Sequence, residues 1–177
     1  NIENGLKSQF ETGLKQIQKK ELMDILDKEH SFDLPHGILE QEFNDIWHRV
    51  GHAKKEGTLD EDDKKLSNDE LKKRYENIAK RRVKLSILLQ FISKEKNITV
   101  DEKELSNGMM QYASRYPGQE KEIIEYFKKN PSAIETIRGP ILEEKVMASL
   151  ISNAKINKVK VSKADYEKKQ KEVFKFD

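Results

Sequence analysis

Apolar residues in the first stretch of the chain recur at steps of three, four or five: Leu6, Phe10, Leu14, Ile17, Leu22, Ile25 and Leu26. Such spacing lays one stripe along a helix of 3.6 residues per turn. It predicts a long amphipathic helix over Ile2–Glu29, weakened slightly by Gly5 and Gly13. The helix is expected to end at His30-Ser31, before the extended piece Phe32-Asp33-Leu34-Pro35. Pro35 disfavours helix at Leu34 and suits the start of the next one. That second helix runs to about Glu56, with Ile38, Leu39, Phe43, Ile46, Trp47 and Val50 on its apolar face and Gly57 as its stop. The polar, acidic stretch Thr58–Leu66, with Asp60-Glu61-Asp62-Asp63, reads as an exposed turn of a helical hairpin.

A third helix begins at Ser67 or Asn68, where Ser67 and Glu70 have the spacing of a capping box. It continues to about Lys96 on a stripe of Leu71, Tyr75, Ile78, Ala79, Leu85, Leu88, Leu89 and Ile92. Its segment Val83–Ile92 is the most apolar of the chain and belongs in the core. Val100-Asp101 opens a fourth helix to about Arg115, and Pro117-Gly118 makes a turn. Gln119–Lys129 is a short helix, broken by Asn130-Pro131. Another short helix follows to Arg138, a second break at Gly139-Pro140, and a strong helix over Ile141–Ala154. Val159 and Val161 alternate with lysines in an extended stretch before Ser162 caps a final helix, Lys163 to about Glu172. The tail Val173–Phe176 carries apolar side chains that need a surface.

No segment alternates long enough to make a useful strand, so the expected class is all-α, an elongated array of helical hairpins within one domain spanning 1–177. Composition agrees. Apolar residues make up 35% and charged residues 37%, too polar for a rounded core but suited to a thin helical body with much surface. Net charge is only +2, which argues against a partner held by bulk electrostatics such as nucleic acid. The chain has no cysteine, hence no disulfide or thiolate metal site, which suits the cytoplasm. No apolar run approaches the roughly 20 residues of a membrane span. Asn1–Asn4 hold neither an initiator methionine nor an apolar signal core, so the chain is expected to begin inside a longer protein.

Few residues invite catalysis. His48 and His52 stand at i and i+4, a spacing that can hold a metal, but Arg49 occupies the place of the glutamate in a His-Glu-x-x-His motif, and they read as surface histidines. The basic clusters Lys72-Lys73-Arg74 and Lys80-Arg81-Arg82, with Tyr75 between them, read as a solvated helix face paired with Glu70 and Glu76. Glu143-Glu144 fit the first turn of a helix, where the dipole favours carboxylates. There is no Gly-x-Ser-x-Gly elbow and no phosphate-binding glycine loop, so no catalytic residue, metal or cofactor is assigned.

Three stretches carry a resemblance: Ala79–Leu89, a basic cluster running into a Val/Leu-rich segment; Arg115-Tyr116-Pro117-Gly118-Gln119-Glu120-Lys121-Glu122 with Tyr126-Phe127-Lys128-Lys129-Asn130-Pro131; and Ile137-Arg138-Gly139-Pro140-Ile141-Leu142-Glu143-Glu144-Lys145-Val146, then Ala154-Lys155-Ile156 and Val161-Ser162. Asp33-Leu34-Pro35 leading into Leu39-Glu40-Gln41-Glu42 adds a fourth. In order and spacing the chain resembles the C-terminal chaperone domain of the bacterial trigger factor family over almost its whole length. Gly139 departs from the alanine of many relatives. The family's ribosome-docking signature and its mainly β prolyl-isomerase domain are not found in this sequence.

The resemblance implies a cytoplasmic, ATP-independent chaperone domain that is not itself an enzyme, its parent being a prolyl isomerase through another domain. A helical body and two arms would enclose a cleft for nascent or unfolded polypeptides. Ribosome contact would run only through the N-terminal domain, with no membrane or nucleic-acid partner and with self-association through the arms open. Phe43, Trp47, Met109, Met110, Tyr112, Tyr116, Tyr126 and Phe127 fall in the arm segments and are the expected substrate-binding set, because methionine and aromatic side chains adapt to varied partners. The competing reading of each is glue between hairpins. Three other functions stay open from the residues: a nucleic-acid-binding module using Lys72–Arg82, the helical module of a periplasmic parvulin-type chaperone, and a scaffold for one folded partner.

Overall fold

A computed structural model describes residues 2–157 and 159–173, with side chains from residue 7 onward. Leu6, Phe174 and Phe176, which entered the apolar pattern above, lie outside the described side chains. Among the described residues seven α-helices follow one another: α1 (Ile2–Glu29), α2 (His36–Lys55), α3 (Asn68–Glu95), α4 (Glu102–Ala113), α5 (Glu120–Lys129), α6 (Pro131–Asn153) and α7 (Lys163–Val173). The fold is all-α, and no strand occurs among the described residues.

The helix starts follow local chemistry. Ser67 Oγ accepts from the Glu70 amide at 3.4 Å while Glu70 Oε2 accepts from the Ser67 amide at 2.9 Å, so the anticipated capping box opens α3. Asp101 and Glu104 form a second box at α4. Ser162 accepts from the Asp165 amide at 3.2 Å and starts α7. Such reciprocal caps satisfy amides that have no partner within the helix, each contributing about 1 kcal/mol.

One expectation is corrected in α6. The sequence pattern predicts a break at Gly139-Pro140 between two helices, yet Pro131–Asn153 is one continuous helix with Pro140 inside it. Pro140 lacks the N–H that would bond the carbonyl of Thr136. Both Thr136 and Pro140 are exposed, so water can satisfy that carbonyl. Meanwhile Ile137, Val146 and Met147 are buried on either side of the proline. Their packing holds the helix across a residue that would end it in isolation.

The chain forms two compact units, residues 1–88 with 159–177 and residues 89–158, the division falling within α3. In the first, Ile46 and Val50 of α2 pack with Leu71 and Ala79 of α3, and Leu39, Phe43, Trp47, Leu59, Leu66, Tyr75 and Ile78 close around them. Fully burying a side chain of this size contributes about 1.5–3 kcal/mol. Ion pairs tie α1 to α3: Arg81 reaches Asp24 at 2.5 Å and Asp27 at 3.4 Å, and Lys84 reaches Asp27 at 2.5 Å. Arg82 meets Glu42 of α2 at 3.3 Å.

The acidic turn is corrected as well. Asp63, read as exposed, is buried at the start of a short 3-10 helix, Asp63–Lys65. Its carboxylate accepts from the Tyr75 hydroxyl at 2.5 Å and pairs with Arg74. The turn is thereby fastened to α3, with Leu59 and Leu66 laid on the apolar cluster.

In the second unit α4, α5 and α6 pack mutually. Gly108 lets α4 come close to α6, since a Cβ there would lie 2.8 Å from Ile137 Cγ2 and 2.9 Å from Ile141 Cδ1. Lys145 of α6 donates to the Thr99 carbonyl at 2.6 Å and pairs with Glu104 at 2.7 Å, anchoring the start of α4.

Candidate functional site

The helical contacts of the second unit build an open pocket of about 750 Å³. Tyr112 from α4 and Tyr116 just beyond it form one wall; Ile123, Tyr126 and Phe127 from α5 form another; Ser132, Ala133 and Thr136 from α6 complete it, with Gln119 and Glu122 at the start of α5. Phe127 is the keystone. It is only 4% exposed and holds the Tyr112 ring edge-to-face at 5.4 Å and the Tyr126 ring at 5.9 Å. Edge-to-face contact suits aromatic quadrupoles, so the phenylalanine fixes both tyrosines without covering them. Tyr126 and Tyr116 remain 57% and 45% exposed, which is high for side chains this large.

The pocket is polar at its edges. A hydrogen bond with Tyr116 is the main cause that raises the pKa of Tyr112. The Arg115 guanidinium lies 5.9 Å from the centre of the Tyr112 ring, within cation–π reach. A site that combines aromatic faces with hydroxyl, amide and carboxylate groups can take an apolar segment while hydrogen-bonding its backbone.

Four of the eight anticipated binding residues meet here: Tyr112, Tyr116, Tyr126 and Phe127. Of these, Phe127 is core rather than open surface. Met109 is half-buried and Met110 exposed on α4, and neither lines the pocket. Phe43 and Trp47 belong to the other unit, where they stack at 5.9 Å as half-buried cover on its apolar cluster. Ser132, Ala133 and Thr136 are small side chains at a helix start, and such side chains carry no signal of a pocket in the sequence. Ile123 did carry one, standing four residues before Phe127.

Other candidates resolve differently. The rings of His48 and His52 meet at 4.6 Å, but among the described residues no group of three or more His, Cys, Asp or Glu is placed to hold a metal. In the basic segment, Arg74, Arg81 and Arg82 are each engaged by a carboxylate, and their partners are Asp63, Asp24, Asp27 and Glu42 instead of the expected Glu70 and Glu76. No described helix is long and apolar enough to cross a membrane.

An all-helical chain that presents an open aromatic pocket has the make-up of a binding domain. Residues 1–152 match the family described as bacterial trigger factor protein (TF) C-terminus, and the chain belongs to that family. It is 44% identical over 145 residues to the trigger factor of Maricaulis maris, covering 82% of this chain and 28% of that protein. The Gluconobacter oxydans trigger factor is 44% identical over 144 residues, 81% of this chain and 32% of the relative. That of Hyphomonas neptunium is 32% identical over 164 residues, 93% and 37% respectively. The chain thus spans about a third of the length of these relatives. The matched region is the chaperone part of trigger factor, whose isomerase activity lies in another domain, and membership supports a chaperone role.

Proposed function

We propose that this chain captures unfolded polypeptides without nucleotide, and that the aromatic pocket of the second unit is a principal contact site. The observation that carries this reading is the exposure of Tyr116 and Tyr126 beside a buried Phe127 that orients the pocket walls. An unfolded chain gains about 25 cal/mol for each Å² of apolar surface it removes from water there. One pocket gives a weak contact. Further apolar positions, including Met110, allow several such contacts on one flexible client, which add through effective concentration and still release. Phe43 and Trp47 contribute in the first unit, since each is only partly buried.

The nucleic-acid alternative loses its main motive because carboxylates already engage Arg74, Arg81 and Arg82. The test is suppression of aggregation of a chemically unfolded client, without ATP, by the chain and by a Tyr116→Ser/Tyr126→Ser variant. Suppression by the chain and a clear loss in the variant, at equal helicity, supports the proposal. No suppression at several-fold molar excess overturns it, and undiminished suppression by the variant removes the pocket from it.

A further inference from the structure

The last described helix sits on the first. The Tyr166 ring of α7 packs on Phe10 of α1 at 5.1 Å, and its hydroxyl donates to the Phe10 carbonyl at 3.5 Å. Lys169 reaches Glu21 at 2.7 Å in a pair about half open to solvent. Gly13 of α1 is buried beneath: a Cβ there would lie 2.1 Å from the Tyr166 hydroxyl and 2.4 Å from Gln170 Nε2. The face of α1 thus has a notch for an aromatic side chain, with Gly13 as its floor and Phe10 beside it.

The occupant is held lightly. Alpha-7 has no buried residue. Among the described residues its fastenings are one tilted aromatic contact, one long hydrogen bond, the seat of Gln170 over Gly13 and one exposed ion pair, the last of a kind that adds little. Its 11 residues are too few to stay helical in water without a partner. On α1, Phe10 and Leu14 remain 44% and 49% exposed, so a longer apolar segment would cover more of α1 than the described part of α7 does.

We infer that α7 is a built-in occupant of a second binding face on α1, and that it gives way to an apolar, aromatic-bearing segment of an unfolded polypeptide. The inference rests on the proposed function for its class of partner. The seating of Tyr166 on Phe10 and Gly13 shows which side chain the face accepts. While α7 is docked, only the fraction of molecules with α7 released can bind, and the apparent affinity is lowered by that fraction.

The experiment uses the full chain and a permanently unfolded, reduced and alkylated polypeptide, with binding measured by titration calorimetry. Tyr166→Ser/Lys169→Glu removes the ring and sets like charges at Glu21, freeing α7 without touching α1. We expect this variant to bind the client about fivefold tighter or more. The chain has no cysteine, so Glu21→Cys/Lys169→Cys joined by a flexible bismaleimide fixes α7 in place. The joined form is expected to bind more weakly than the same variant left unjoined. Adding Phe10→Ser to the freeing variant should abolish the gain. Equal affinities in all forms, weaker binding on freeing α7, or a gain that survives Phe10→Ser each overturns the inference, as does self-association in place of client binding. If the unaltered chain and the freed variant both bind no client, the proposed function falls first; if the unaltered chain binds and freeing α7 changes nothing, only the built-in occupant is lost.

Discussion

Asp63 and Arg74 form an ion pair at 3.0 Å in which the carboxylate side chain is 4% exposed and the guanidinium about one-third exposed. The same carboxylate also accepts from the Tyr75 hydroxyl. It therefore ties the turn to α3 through one hydroxyl donor and one ion pair, beside the apolar contacts of Leu59 and Leu66. Asp63→Ala leaves the arginine without its partner and the buried end of Tyr75 without an acceptor. We expect a loss of about 1–3 kcal/mol, below the range for a fully buried pair because Arg74 can still reach water. Asp63→Asn keeps an acceptor and should cost less. Urea unfolding of the two variants checks the order.

Burial, and then the hydrogen bond and charge of Asp63, push the Tyr75 hydroxyl up to about 12, from a usual value of 10.0. The folded state thus holds this proton more tightly than the unfolded state. The resulting stabilisation is complete below pH 10.0 and disappears as the pH rises through about 12. Tyr75 should ionise above the usual tyrosine range, and Tyr75→Phe should remove that step from the alkaline absorbance titration.

The pocket residues should separate into two kinds. Phe127→Ala deletes a buried ring that two tyrosines lean on and should cost about 3–5 kcal/mol. Tyr126→Ser deletes an exposed ring and should change stability by less than about 1 kcal/mol while weakening client capture. Thermal unfolding and client titration on the same samples measure both. Equal destabilisation by the two substitutions would mean that the tyrosine is structural.

Pro140 sits inside α6 with the Thr136 carbonyl lacking its usual donor. Pro140→Ala restores the amide in a helix that already runs through the site. The unfolding temperature should rise, with a gain of up to about 3 kcal/mol. A lower unfolding temperature would show that the proline bends α6 to suit its packing.

Helix ends were the most legible feature of the sequence, because the side chains that cap them lie within three residues of the amides they satisfy. Ser67 with Glu70 shows this directly. The Leu-rich part of α3 was also readable, and Val83, Leu85, Leu88 and Leu89 are buried. Gly139-Pro140 misled because a breaker is a local signal and the burial of Ile137 and Val146 is not. Asp63 was hidden among four consecutive acids, only its contacts with Arg74 and Tyr75 setting it apart from Asp60, Glu61 and Asp62. Within the site, spacing marks Tyr112 and Phe127 as helical apolar positions, while Tyr126 stands out only as an aromatic in an arm segment. Which of them faced outward depended on how α4, α5 and α6 pack, and that separates the buried Phe127 from the open Tyr126.

Trp47 is the only tryptophan, and it rests on the cluster of Ile46, Val50, Leu71 and Ala79 in the first unit. Indole emission is accordingly a private reporter of that half of the molecule. A melt followed by it stays silent about α4, α5 and the tyrosine pocket, whereas far-ultraviolet ellipticity registers every helix. Two such traces that fail to superimpose would reveal the halves letting go one at a time.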